Sequence, residues 1–234
     1  MPRLLCRTTW KPCSANATPS VAAHGPAHTR AEITEAAVAV ADAAGPSGAT
    51  AVTMRKVAAH IGAGVMSLYT YVPDRETLLE LMIDRAAGEH APPPATGDWR
   101  ADMRALAGAQ RASMLAHPWL PAALSARRTL GPNTLRVLEH ALVVLGPTGL
   151  PPGEALEVFS LITGFVASHV GYELGQRDAA AQDPGAQLRY LRRAAEAGGL
   201  TALSALLDAD PTPPPPPDGT FDRLLDRLLD GLVR

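Results

Sequence analysis

The chain has 234 residues, enough for one large domain or two small ones, and 47% of them are hydrophobic, so a sizeable core can form. Aromatic residues make up only 4% while alanine recurs throughout, a balance that favours helices over sheets. The formal net charge of −2 points to no nucleic-acid partner by itself, so any DNA contact must come from locally focused cations. Both cysteines, Cys6 and Cys13, fall near the start, which argues against a disulfide framework and suits a reducing cytoplasm.

Residues 1–28 are rich in Pro, Ser, Thr, Ala and Gly and show no periodicity, as a disordered N-terminal extension does. Cys6, Cys13, His24 and His28 are spaced C-x6-C-x10-H-x3-H, which lacks the short gap between cysteines and the apolar residues of a zinc finger, so no metal site is expected. Leu4-Leu5 is no signal-peptide core. Arg3, Arg7 and Lys11 give the segment a second reading, an arm reaching an adjacent minor groove.

From Thr29 to His90 there are five Arg/Lys (Arg30, Arg55, Lys56, Arg75, Arg85) against eight Asp/Glu, and the three cations of the extension bring residues 1–90 to neutrality. The pattern predicts a helix over about 30–44, ended by the breaker cluster Gly45-Pro46-Ser47-Gly48. Thr53 can then cap a short helix carrying Met54, Val57, Ala58 and Ile61. Gly62-Ala63-Gly64 ends it, and a second short helix starts at Val65, with Leu68 and Val72 facing inward. Pro73 biases Val72 out of helical angles, and Asp74 can cap a third helix running to about Glu89. Two short helices joined by a glycine turn and packed on longer ones form a helix-turn-helix, which pushes one helix into a major groove.

The stretch T-M-R-K-V-A-A, the L-Y-x-Y-V segment and the aspartate plus basic residue opening the next helix resemble, in order and spacing, the DNA-binding domain of TetR-family transcriptional regulators over about residues 30–90. The resemblance implies an all-α protein: a three-helix helix-turn-helix domain at 29–90, then a helical ligand-binding and dimerisation domain at 97–234. Thr53 sits where free helix-start N–H groups attract a phosphate. Arg55 and Lys56 point away from the core stripe, towards a base edge or phosphate. Val65, Met66, Ser67, Thr70 and Tyr71 are left facing the groove once Leu68 and Val72 are core. Tyr69 and Tyr71 match the family's phosphate-touching positions, Tyr71 replacing a histidine common there, and Arg75 matches its phosphate-binding lysine.

After Ala91-Pro92-Pro93-Pro94 the pattern predicts only helices, at about 97–116, 119–128, 131–145, 154–176, 184–207 and 220–233, with the stiff spacer DPTPPPPP at 210–217. Leu156–Leu174 is near the length that spans a membrane but contains Glu157, His169 and Glu173, so a buried helix explains it better. By resemblance the second half binds a small-molecule effector, for which Trp99, Met103, Met114, His117, Trp119, Phe159, Phe165, His169 and Tyr172 are the candidates, each equally a core residue. The family places the dimer interface on the 154–176 helix and one near the C-terminus. Gly164, Ala167, Ser168 and Gly171 allow close approach on the first, and Phe221, Leu224, Leu225, Leu228, Leu229 and Leu232 form a wide apolar stripe on the second.

The sequence therefore reads as a cytoplasmic, homodimeric, ligand-responsive regulator, and by analogy with most of the family a repressor that releases a palindromic operator when a small molecule binds. No cofactor is called for. The alternatives are a helical small-molecule-binding protein without operator binding, which the acidic balance of 29–90 favours, and a regulator that docks a protein partner through its proline run. No Ser/His/Asp, Cys/His, phosphate-loop or paired-carboxylate arrangement suggests an enzyme.

Overall fold

The computed structural model describes residues 28–90, 93–126, 130–179, 184–209 and 217–232. The extension to residue 27, with Cys6, Cys13, His24 and its three cations, lies outside them, as do the Pro-rich residues 210–216. Every regular element among the described residues is helical: α1 (Arg30–Ala43), α2 (Gly48–Ala51), α3 (Met54–His60), α4 (Val65–Tyr69), α5 (Arg75–Ala87), α6 (Trp99–Ala116), α7 (Leu120–Ala126), α8 (Pro132–Leu145), α9 (Pro152–Ala179), α10 (Pro184–Ala197), α11 (Thr201–Asp208) and α12 (Pro217–Leu232).

The N-terminal bundle packs α1 against α3 and α5, burying Ile33, Ala37, Val57, Leu68, Val72, Leu78 and Met82. Its helix starts are set locally. Thr29 and Glu32 form a reciprocal capping box on α1, and the Thr53 and Asp74 side chains accept from Lys56 N and Thr77 N. The α3–α4 turn is a Schellman motif: Gly62 takes φ +68°, and Ala63 N donates to Ala58 O at 2.9 Å. Two details escaped the sequence. A 3-10 turn and the four-residue α2 precede Thr53, and Gly48 lies so close to α1 that a Cβ would sit 2.2 Å from Ala41 O.

In the second half α9 is central, packing against α6, α7, α8 and α12. The helix predicted over 184–207 is two helices, because Gly198-Gly199, with Gly199 at φ +62°, ends α10 and turns the chain into α11. The leucine stripe of α12 finds its cover within the chain: Phe221, Leu225 and Leu229 are buried, and Phe221 stacks on Phe165 at 5.7 Å between centroids. Beneath it lies a buried ion pair, Arg111 donating to both oxygens of Glu173, with the guanidinium 5.1 Å over the Phe221 ring.

Hydrogen bonds among the described residues join the halves. Asp84 of α5 accepts from Asn133 N and Thr134 N, each at 2.9 Å, and so caps α8. Ser113 Oγ of α6 donates to Ala86 O, 2.9 Å away. His117, between α6 and α7, meets Asp42 of α1 through Nδ1 at 2.9 Å and Glu89 through Nε2 at 2.7 Å.

Candidate functional site

The groove-facing surface is made by α3 and α4. Thr53, Arg55, Lys56, Ser67 and Thr70 are exposed, as are Met66 (79%) and Tyr69 (43%). Such exposure leaves Met66 without an intramolecular packing role, whereas Leu68, two residues on, is fully buried. Ser67 Oγ donates to Gly64 O at 2.6 Å, which leaves its oxygen as an acceptor for an outside group.

Three of the ten residues expected to face DNA are placed differently. Val65, in the first turn of α4, and Tyr71, just after it, are half-buried and pack against the core. Arg75, expected to bind phosphate, is half-buried and turns its guanidinium inward, donating to Val52 O at 3.0 Å and to Ala49 O. The reason is local: α2 ends there with carbonyls that no helical N–H can reach, and a guanidinium is the donor within range.

Arg30 donates to Tyr71 O at 3.2 Å, Arg85 pairs with Glu35 and Glu89, and Arg75 is occupied as described. Among the described cations of residues 28–90, Arg55 and Lys56 alone extend from the surface of α3 without a charged partner. The acidic balance of the N-terminal bundle therefore coexists with a focused positive edge at the helix-turn-helix. His60, in the last turn of α3 and also exposed, belongs to the same face and was not singled out from the sequence.

The helices of the second half, together with α5, shape a half-open cavity of about 330 Å³, bounded by Ile83 and Ala87 of α5, Leu106, Gln110, Ser113 and Met114 of α6, Leu120 and Leu124 of α7, Thr134, Val137 and Leu138 of α8, and Leu156, Phe159, Ser160 and Thr163 of α9, with His90 at its edge. That size suits a small organic molecule. Of the nine residues proposed for it, Met114 and Phe159 line the cavity.

The other seven have structural or surface places. Met103 is core, and Trp99 packs against the core with Arg100 4.6 Å over its ring. His117 and Trp119 form the junction with α1, where Trp119 Nε1 donates to Asp42 at 2.7 Å. Phe165 and His169 pack against Phe221, and Tyr172 is 64% exposed. His169 Nε2 lies 3.0 Å from Glu173 Oε1 but makes no hydrogen bond with it; that oxygen already accepts from Arg111. Aromatic residues dominate many binding energies, yet in this alanine-rich chain they are scarce and serve as core anchors.

A three-helix helix-turn-helix bundle joined to a hollow helical domain defines a ligand-responsive, DNA-binding transcriptional regulator. Residues 91–234 match the family described as the tetracyclin repressor-like C-terminal domain. The chain is 35% identical over 219 residues to the HTH-type transcriptional repressor DrrR1 of Streptomyces coeruleorubidus, covering 88% of this chain and 78% of that one. Apo ActR of Streptomyces coelicolor superposes with a TM-score of 0.73 at 25% identity, covering 89% of this chain and 96% of that one. ActR in complex with (S)-DNPA gives 0.72 at 27%, covering 89% and 98%. The chain belongs to the TetR family of transcriptional regulators.

Proposed function

We propose that the protein is a cytoplasmic homodimeric repressor that holds a roughly palindromic operator through α3 and α4 and leaves it when a small molecule enters the 330 Å³ cavity. The observation that carries this reading is the physical connection between cavity and DNA-binding helices. Thr134 of the cavity wall and Asp84 of α5 share a hydrogen bond of 3.1 Å, so the wall and the helix that supports the helix-turn-helix are fastened together. The repressor DrrR1 and the ligand complexes of ActR support repression and an internal effector respectively. Exposed Thr53, Arg55, Lys56, Met66, Ser67, Tyr69 and Thr70 form the DNA-facing set, Arg55 and Lys56 as phosphate anchors and Met66 as a contact for a thymine methyl group.

Two recognition helices must lie ~34–36 Å apart to meet successive major grooves. The reading puts the second copy on α9, where Leu161, Gly164, Ser168 and Tyr172 share one exposed face and, beyond the helix's own backbone and the adjoining residues, no described atom lies within 4 Å of a Cβ built at Gly164 or Gly171. The half-buried edge of α12, Leu224 and Leu228, extends that face. Pro152–Arg177 of α9 is long and apolar enough to cross a membrane, but it carries the buried Glu173 paired to Arg111 within the chain, and a partner protomer would cover its exposed face.

The test is operator binding with and without ligand. DNA from upstream of the protein's own gene should bind selectively, and a compound that enters the cavity should weaken that binding at least tenfold. Affinity that is indifferent to every cavity ligand would remove the release mechanism, since a ligand with equal affinity for both conformations shifts nothing.

A further inference from the structure

The chemical class of the effector can be read from the wall of the cavity, given the reading that this cavity is the effector site. Among the described residues no Asp, Glu, Lys or Arg side chain lines it, and the one titratable member among them, His90, is exposed at the edge. Among these residues a charged ligand would meet no opposite charge to offset the water it loses. Three hydroxyls of the wall are already committed as donors: Ser113 to Ala86 O, Ser160 to Leu156 O at 2.7 Å, and Thr134 to Asp84.

Each therefore turns oxygen lone pairs outward, and Thr163 Oγ1 itself accepts from Gln110 Nε2 at 3.1 Å. Gln110 Oε1 is buried with no hydrogen-bond partner, an acceptor left short by folding on the α6 wall. The wall accepts more hydrogen bonds than it can donate.

We infer that the effector is an uncharged, mainly apolar molecule carrying a hydroxyl or N–H group that donates into the wall formed by Gln110, Ser113, Ser160 and Thr163. The apolar body fills the space between Met114, Leu138 and Phe159, and the donor group sets its orientation. The row of acceptors repels carboxylates and phosphates, and the described lining residues include no cation to offset it.

Calorimetric titration of the full-length protein with three matched probes tests this: biphenyl, 4-hydroxybiphenyl and biphenyl-4-carboxylate. The hydroxyl compound should bind at least tenfold tighter than biphenyl, and the carboxylate should bind weaker than biphenyl. In a Gln110→Leu, Ser160→Ala double variant the gain from the hydroxyl should fall below threefold while biphenyl itself still binds, which shows that the fold is intact. Tightest binding by the carboxylate, no gain from the hydroxyl, or a full gain retained in the variant overturns the ligand class and leaves the cavity as a binding site. No binding of any of the three overturns the cavity reading itself.

Discussion

His117 Nδ1 and Asp42 Oδ1 meet at 2.9 Å, and the same imidazole reaches Glu89 through Nε2, so one side chain from the effector half clasps α1 and the end of α5 together. Both ring nitrogens face carboxylates, and both bonds can be donated only by the imidazolium. Burial alone pushes this histidine down; the hydrogen bonds to Asp42 and Glu89 outweigh it and hold its pKa above the ordinary histidine value.

The pH dependence follows in sign. A group whose folded pKa is raised contributes stability that is fully present below the unfolded value near 6.5 and is lost as pH rises through the folded value. Thermal melts should therefore show Tm falling as pH climbs above ~6.5, and His117→Gln should flatten that slope. An unchanged slope in the variant would assign the pH dependence to another group.

Arg75 and Arg55 should separate structure from DNA binding. Arg75→Ala leaves the Val52 and Ala49 carbonyls without their donor, so it should lower stability by ~1–3 kcal/mol. Arg55→Ala and Lys56→Ala should leave the melting temperature unchanged. A loss of operator affinity in Arg75→Ala with no loss of stability would restore the phosphate contact that the family resemblance implies.

Asp84 fastens α5 to α8, and Gly131 is the space that lets it: a Cβ there would lie 2.2 Å from Asp84 Oδ1. Asp84→Ala should cost ~2–3 kcal/mol by orphaning the α8 start. It should also weaken the effect of cavity ligands on operator affinity, because the α8 side of the wall is no longer tied to α5. Ligand release of wild-type magnitude in a folded Asp84→Ala protein would place the coupling elsewhere.

Arg111→Met strands the Glu173 carboxylate in the core beneath Phe221, for which ~3–5 kcal/mol of destabilisation is the expected range. Denaturant melts measure this directly. Leu161→Glu, on the exposed face of α9, should instead leave the fold intact and shift sedimentation from dimer to monomer. A dimeric Leu161→Glu protein would move the interface off α9.

The helix-turn-helix was legible because its signals are local: the Thr53 and Asp74 caps, the Gly62 turn and the Leu68/Val72 pair each act within a few residues. What the sequence hid depends on distant neighbours. Nothing near Arg75 announces that α2 ends against it with unpaired carbonyls, and nothing near Gln110 announces that Thr163, 53 residues on, binds its amide. The cavity escaped for the same reason. It is lined by leucines, alanines and short hydroxyl residues that look like packing in one dimension, whereas the conspicuous His117, Trp119, Phe165 and His169 serve contacts between helices.

Anchoring to operator DNA by the exposed edge of α3 is decided by affinity for the protein's own upstream DNA across a salt series, wild type beside Arg55→Ala, Lys56→Ala. Selective binding with a steep dependence on salt is expected, and a slope in the variant reduced by about one per subunit for each cation removed. Selective binding whose salt slope is identical in wild type and variant, or no selective binding at low salt, would contradict it.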